Sequence, residues 1–374
     1  MNDLHLTAEQ RELYEHTRVL AREVLKPLAD QGEPGRVNRP LVKALADHGL
    51  LPRLFEPSAA RALTLCLIRE ALARECTEAE TAFALQGLGA DPVLNAGRTE
   101  LRDGWIPQIF RGFAIAAFAL TEPEAGSDVG ALSLKAEPDG DGFRLTGEKL
   151  WISNAPEADL YTVFARTEEG ITAFAVPGDA EGLSGEHRDL LAPHAIGSLR
   201  FEGVRVSRES MLGEPGEGFK VAMRTLDLFR PSVGAFAIGM ARQALDLAIA
   251  RASERHTFGK ALRDHQAVSH RIAELAARVH AARLLVHHAA GALDAGMPDP
   301  ALSAMAKLLA TETAQEAIDA ALQFHGAQGL ERGHPLEHLY REVRATRIYE
   351  GASEIQREII ARSLFRAAET TTAR

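Results

Sequence analysis

Along the first hundred residues the apolar positions recur at helical spacing. Thr7-Ala8-Glu9-Gln10 reads as a capping-box start, with a hydroxyl at the N-cap and an amide three residues on. Leu13, Leu20, Val24 and Leu25 then make one apolar face, and the pattern predicts a helix that stops before Pro27. Leu41–Leu51 and Ala62–Arg74 predict further helices, and Trp105, Ile106, Ile109 and Phe110 close the section on an apolar face. At about Phe113 the period changes. Phe113–Leu120 is a continuous apolar run of strand length, and Leu132, Leu134 and Ala136 alternate with Ser133 and Lys135. Asp139-Gly140-Asp141-Gly142 is a hairpin turn, with Phe143 and Leu145 alternating after it. Leu160–Ala165, Ile171–Val176 and Leu199–Val206 predict more strands, and short strands at this spacing imply a barrel or sandwich. Ser207–Gly218 leads out of the strands. Helical spacing then returns at Val268, Ile272, Leu275, Ala276 and Val279. Asp299-Pro300 supplies an N-cap and a first-turn proline for a long helix carrying Leu308, Leu309, Ile318, Ala321 and Leu322. The expected organisation is a helical domain over 1–112, a β domain over 113–216 and a helical bundle over 217–374.

Composition narrows the function classes. A chain of 374 residues, 46% hydrophobic and 25% charged, is globular. A net charge of −10 argues against a broad nucleic-acid surface or an anionic membrane partner, while leaving room for a local basic pocket. Cys66 and Cys76 form no paired motif, which fits a reducing compartment, offers no zinc site and leaves both as small core residues. Met1–Glu9 has no apolar signal core, and no apolar run approaches the ~18 residues of a membrane span. A cytoplasmic protein is expected. His287-His288 is read as helix surface, since adjacent residues do not share a helical face and so do not chelate a metal.

The most informative stretch lies near the C-terminus. Tyr340–Tyr349 has a helical pattern rich in arginine, and Glu350 follows it. Gly351 is a helix stop, and Ser353-Glu354-Ile355-Gln356 reads as a second capping box, Ser353 at the N-cap. Glu350 therefore falls at a helix–helix joint, where a side chain can point into a cleft. Taken alone, a glutamate there is more often an exposed residue at a helix end.

Four motifs occur in order around the β section. They are Phe118-Ala-Leu-Thr-Glu-Pro-Glu-Ala-Gly-Ser-Asp128, Gly147-Glu-Lys-Leu-Trp-Ile-Ser-Asn154, Arg255-His-Thr-Phe-Gly-Lys260 with His265-Gln266, and Gln323-Phe-His-Gly-Ala-Gln-Gly329 leading to Ile348-Tyr-Glu-Gly351. From about Thr7 to Leu364 the chain resembles the acyl-CoA dehydrogenase family of flavoproteins. The resemblance implies a mainly α fold with a β-barrel middle domain and a C-terminal four-helix bundle. It also implies bound FAD and oxidation of an acyl-CoA thioester to trans-2-enoyl-CoA.

The same resemblance assigns roles. Phe118, Leu120, Thr121, Gly126 and Ser127 line the FAD, and Ser127 also meets the CoA chain; without the family this loop reads as a tight surface turn. Trp151 covers a flavin face, with Ile152 beside it, and Ser153, where the family commonly has Thr, donates to the flavin N5; in isolation Trp151 reads as a core residue at a barrel rim. Arg255, Thr257, Phe258, His265 and Gln266 reach the FAD of a neighbouring subunit, and in isolation Arg255 complements a helix dipole. Gln323, Phe324, Gly326 and Ala327 close over the adenosine side, with Ala352 and Glu354 also on the cofactor. His325, where an apolar residue is usual, equally reads as an interior histidine. Asp227, Arg230, Glu350 and Gly351 meet the thioester and pantetheine. Part of the family has its catalytic Glu where this chain has Phe229, so Glu350 is the expected base. An electron-transfer flavoprotein as acceptor and a homotetramer, a dimer of dimers, are family expectations. The Pro-Glu-x-Tyr-Gly-Gly pattern is missing after Leu51-Pro52-Arg53, and Pro193-His194 is unusual, so short, branched and cyclic acyl groups all stay open. Two other readings remain: an oxidase or related flavin enzyme that reacts with O2, and a non-catalytic acyl-CoA-binding homologue.

Overall fold

The computed structural model describes residues 5–55 and 61–372. Its first section is helical: α1 (Ala8–Leu20), α2 (Lys26–Ala29), α3 (Arg39–Asp47), α4 (Pro52–Phe55), α5 (Arg61–Glu75), α6 (Thr77–Ala96) and α7 (Thr99–Phe110). Strands follow: β1 (Ala116–Ala119), β2 (Lys135–Asp139), β3 (Gly142–Ser153), β4 (Leu160–Thr167), β5 (Gly170–Pro177), β6 (Leu183–His187), β7 (Ile196–Ser207) and β8 (Met211–Leu212). After α8 (Gly218–Glu254) comes a small hairpin, β9 (His256–Thr257) and β10 (Lys260–Ala261). Then come α9 (Gln266–Asp294), α10 (Pro300–His325), α11 (Pro335–Thr346) and α12 (Ser353–Thr372). This is the mainly α chain with a β section in its middle that the hydrophobic pattern predicts.

The chain divides into two compact units. The helical unit comprises Met1–Arg22, Ser58–Thr77 and Asp227–Arg374, and the mixed unit comprises Glu23–Pro57 and Glu78–Leu226. In the mixed unit the strands form one sheet with the order β6-β7-β3-β2-β4-β5-β8, and β1 pairs parallel to β4. Helix α6 packs on β1. The side chain of Gln86 donates to the Ala114 carbonyl at 2.8 Å and accepts from the Ala116 N–H at 2.8 Å. Gly89 allows the approach, because a Cβ there would stand 2.6 Å from the Ala117 nitrogen. In the helical unit, Phe236, Met240, Leu275, Val279, Val286 and Ile318 share a core with many alanines, which lets the helices come close together.

Several local readings change. The capping box at Thr7 forms as expected, with Gln10 N–H donating to Thr7 Oγ1 at 3.2 Å and Thr7 N–H donating to Gln10 Oε1 at 2.9 Å. The helix does not stop before Pro27. It passes through a π-helical turn, Ala21–Leu25, and Pro27 sits in the first turn of α2, where a missing N–H costs little. His287 is interior, not surface: it is 5% exposed and bonds His5 at 2.8 Å, while the adjacent His288 is exposed. Beside it the fully buried Glu70 meets Arg283 at 2.8 Å and also Arg242. Burial opposes that charge, yet Arg283, His287 and Arg242 hold the carboxyl far below the usual range. Helix α8 is long and apolar enough to cross a membrane, contrary to the expectation of no such run, but 67% of its apolar window is buried inside the protein. The segment after Phe55 that lacks the glycine-rich pattern lies largely outside the described residues.

Candidate active site

In the mixed unit, two motif segments are bolted together by a buried ion pair. Lys149 Nζ donates to Glu122 Oε1 at 2.8 Å and to the Leu120 carbonyl at 2.9 Å. Glu122 also accepts from Ser133 N–H at 2.6 Å, Ser133 Oγ at 2.9 Å and Leu134 N–H at 3.0 Å. Burial pushes the Lys149 ammonium down to about 8 despite its partner. Burial works against the Glu122 charge as well, but Lys149 and the backbone donors keep its carboxyl below the usual range. The Leu150 N–H donates to the Thr121 carbonyl at 3.0 Å, which brings the Thr121 loop alongside β3.

At that point β3 slips its register against β7, between Lys149 and Ile152. Trp151 sits in the bulge with φ of 59° and is 50% exposed. A tryptophan in the left-handed region is strained, and such strain concentrates at working sites. The bulge leaves the indole half-exposed, and Thr121 and Ser153, in the two segments that the Leu150–Thr121 bond joins, are partly exposed. Gly126 and Ser127 are exposed on the loop and Phe118 is partly exposed, whereas Leu120 and Ile152 send their side chains into the core. An exposed indole, with hydroxyl and amide donors available on the adjoining loop and strand, suits a flat ring with a polar edge, so this donor set fits a flavin.

In the helical unit, Glu350 ends the turn after α11. Its φ is 50°, and Gly351 follows at 91°. Lys307 on α10 donates to the Tyr349 carbonyl at 3.1 Å and the Gly351 carbonyl at 2.8 Å. Gln356 Nε2 donates to the Gly351 carbonyl at 2.9 Å and the Glu350 carbonyl at 3.3 Å. The second capping box therefore does not form. Ser353 is the first residue of α12, its hydroxyl donates to Glu312 at 2.7 Å, and the Gln356 side chain is taken by the turn. Glu350 Oε2 is buried with no hydrogen-bond partner, and the Glu350 N–H makes no bond within the described residues. Burial raises the carboxyl above its ordinary value, opposed by Arg69, Lys307 and Arg230. The expected exposed-end alternative is thus excluded.

The other predicted positions are placed as follows. Arg230, 8% exposed at its side chain, pairs with the partly exposed Asp227 at 2.7 Å, and its Nε has no partner. The β9–β10 hairpin holds Thr257 and ends at Phe258, which is 97% exposed with φ of 51°. His265 bonds the Thr257 carbonyl at 3.2 Å, and Arg255 and Gln266 are exposed beside the same hairpin. At the end of α10, Gln323, Gly326 and Ala327 are exposed and Phe324 is half-buried. His325 is interior, bonding the Ala321 carbonyl at 2.8 Å and packing on His334. Ala352 is partly buried, while Glu354 faces solvent and pairs with Arg357 at 3.4 Å. Sequence reasoning missed Glu122, Lys149 and Lys307. The first two lie inside the Phe118–Asp128 and Gly147–Asn154 motifs, but nothing local marks a lysine as buried; Lys307 sits on the apolar face of α10 with no motif around it.

An exposed indole on the β section of one unit and an unpartnered carboxyl on a strained turn of the other are features that fit a flavin-dependent oxidoreductase. The chain belongs to the acyl-CoA dehydrogenase family, matching its N-terminal domain over residues 7–113, its middle domain over 117–206 and its C-terminal domain over 216–365. It is 35% identical to cyclohexane-1-carbonyl-CoA dehydrogenase of Geobacter metallireducens, over 96% of this chain and 98% of that one. It is 38% identical to the mitochondrial short-chain specific acyl-CoA dehydrogenase of Rattus norvegicus, over 87% of this chain and 82% of that one. A glutaryl-CoA dehydrogenase from Mycobacterium smegmatis, solved in complex with FADH2, superposes with a TM-score of 0.91 at 25% identity, covering 97% of this chain and 96% of that one. The protein is an acyl-CoA dehydrogenase, an oxidoreductase whose cofactor is FAD.

Proposed function

We propose that this chain oxidises an acyl-CoA thioester between Cα and Cβ, with Glu350 as the base. The observation that carries this is the Glu350 carboxyl itself: an unbonded buried oxygen, on a backbone held in a conformation that glutamate disfavours. An α C–H beside a thioester is a very weak acid, so a carboxylate of ordinary acidity matches it poorly. Burial raises the Glu350 carboxyl and narrows that gap. Glu350 takes the α proton, the C–H electron pair becomes the Cα=Cβ bond, and the β hydrogen leaves with its own pair. FAD, when bound, supplies the acceptor for that hydride. The unbonded Glu350 N–H is suited to donate to the thioester carbonyl and to stabilise the enolate-like charge. Arg230, held by Asp227, is suited to orient the thioester arm. Trp151, Thr121, Ser127 and Ser153 would hold the ring, and the hairpin with Arg255, Thr257 and Phe258 the cofactor of a neighbouring copy. The full exposure of Phe258 supports that assembled reading, and a tetrameric mass in solution is its check.

The test is Glu350→Gln. The variant is expected to purify yellow and to lose about 10²–10⁴-fold or more in anaerobic bleaching by acyl-CoA. Near-normal bleaching would refute the assignment. A panel of short, branched and cyclic acyl-CoAs fixes the acyl group. Slow reoxidation in air after bleaching supports a protein acceptor such as an electron-transfer flavoprotein, and fast reoxidation supports an oxidase.

A further inference from the structure

Lys307 is fully buried and bonds the turn that carries Glu350. A buried ammonium needs strong partners. Its hydrogen bonds go to two backbone carbonyls, those of Tyr349 and Gly351, on either side of Glu350. A glutamate in the left-handed region persists only where the surroundings over-determine it. Here α10 does so twice, through Lys307 and through Glu312, which receives Ser353 Oγ at 2.7 Å and Arg347 at 2.9 Å. Gln356 of α12 already donates to two carbonyls of the same turn, so neutral donors suffice as a staple. A charge in that place calls for a further reason.

We propose that Lys307 is a positioning residue for the dehydrogenation: its ammonium clamps the carbonyls flanking Glu350 and provides a fixed positive charge that keeps the carboxylate ionised and ready. This rests on the reading of Glu350 as the base. The charged groups facing Glu350 are Arg69 from α5, Arg230 from α8 and Lys307 from α10. Arg69, the strongest of the three on the carboxyl, also donates to Ser232 Oγ at 2.6 Å, and Arg230 pairs with Asp227. Of the three, Lys307 is hydrogen-bonded to the turn itself, at the Tyr349 and Gly351 carbonyls. Its own surroundings are Glu350 and Glu312 on the negative side and Arg230 and Arg347 on the positive side. Burial lowers it to about 8, so it is charged at neutral pH.

The experiment compares Lys307→Gln, which keeps N–H donors but drops the charge, with Lys307→Met, which drops both. Each holoenzyme is assayed by anaerobic bleaching from pH 5.5 to 9, using the acyl-CoA that bleaches wild type fastest. The carboxyl band of Glu350, identified by its loss in Glu350→Gln, is titrated in parallel by infrared difference spectroscopy. Lys307→Gln is expected to move both the acid limb and the infrared titration up by about one pH unit, the lower end of what an adjacent opposite charge gives. Turnover well down the acid limb should fall about tenfold, and on the plateau hardly at all, with little change in KM. Lys307→Met should lose a further factor by releasing the carbonyls. An unmoved limb and an unmoved infrared titration in Lys307→Gln overturn the proposal. If that variant does not fold, Lys307→Arg decides: the limb should stay in place while turnover falls, and wild-type turnover overturns the clamp. Active Glu350→Gln would instead sink the base assignment; inactive Glu350→Gln beside neutral Lys307 variants would sink this inference alone.

Discussion

Replacing Lys149 with Met removes one half of an ion pair that water does not reach. The two side chains are 0% and 3% exposed, and their closest atoms are 2.8 Å apart. At an effective dielectric constant near 20, that separation corresponds to about 6 kcal/mol of attraction. Desolvation offsets much of this, so the pair itself adds little net stability. Breaking it is another matter. Met fills similar volume, but the Glu122 carboxylate stays buried with only the Ser133 and Leu134 donors, and a stranded buried charge costs about 3–5 kcal/mol. The Leu120 carbonyl also loses its donor, worth roughly another 1 kcal/mol. For a folding unit of this size about 2–4 °C of melting temperature accompanies each kcal/mol, so Lys149→Met should melt roughly 10–20 °C lower. Circular dichroism on the flavin-stripped protein at pH 7 measures this, and absorbance at the flavin band reports how much FAD the variant retains. Adding Glu122→Leu should make matters no worse, because it takes away the stranded charge while orphaning the Ser133 and Leu134 donors. A Lys149→Met protein that melts within 2 °C of wild type and purifies fully yellow would refute the reasoning.

Other outcomes follow from the same geometry. Lys149 and Lys307 are both lowered to about 8; between there and their ordinary value the unfolded chain holds more protons than the native one. Stability should therefore rise from pH 8 to about 10, by up to roughly 3 kcal/mol per lysine. Above that, Tyr14 and Tyr161, both raised by burial, keep protons that the unfolded chain releases, so stability should fall again; denaturant midpoints across this range check the sign. Because burial raises Glu350, turnover should climb with pH through a limb above the ordinary carboxylate range, and a limb within that range would contradict its burial. Gly89→Ala drives a methyl to 2.6 Å from the Ala117 nitrogen and should cost about 1–3 kcal/mol, read from the chemical-denaturation midpoint.

Much of the fold was legible because burial leaves periodic marks. The alternation over β3 and the spacing on α9 follow which side each residue faces. Helix α6 escaped notice because Gly87, Gly89 and Pro92 are poor helix formers, and the close approach to β1 that Gly89 serves is tertiary. Leu309 looked like part of the buried face of α10 but is 37% exposed, since one residue of register decides its side. At the site, Glu350, Trp151 and Arg230 announced themselves through motifs. Pro27 misled because a π-helical turn relieves the conflict that usually ends a helix there. The capping box at Ser353 misled because Glu312 and the Glu350 turn compete for the same two side chains. Lys149, Lys307 and His287 were invisible for a shared reason: a charged or polar residue becomes interior only when distant partners arrive, and spacing along the chain carries no trace of them.

The bulge that presents Trp151 also gives the molecule a built-in optical reporter. Of its two tryptophans, Trp105 and Trp151, both belong to the mixed unit, whereas Tyr14, Tyr340 and Tyr349 belong to the helical one. Indole emission therefore follows the melting of one unit only, while far-ultraviolet ellipticity weighs chiefly the helices of the other. Coincident traces would mean a single cooperative collapse, and separated traces would give the order in which the two halves come apart without any label being attached.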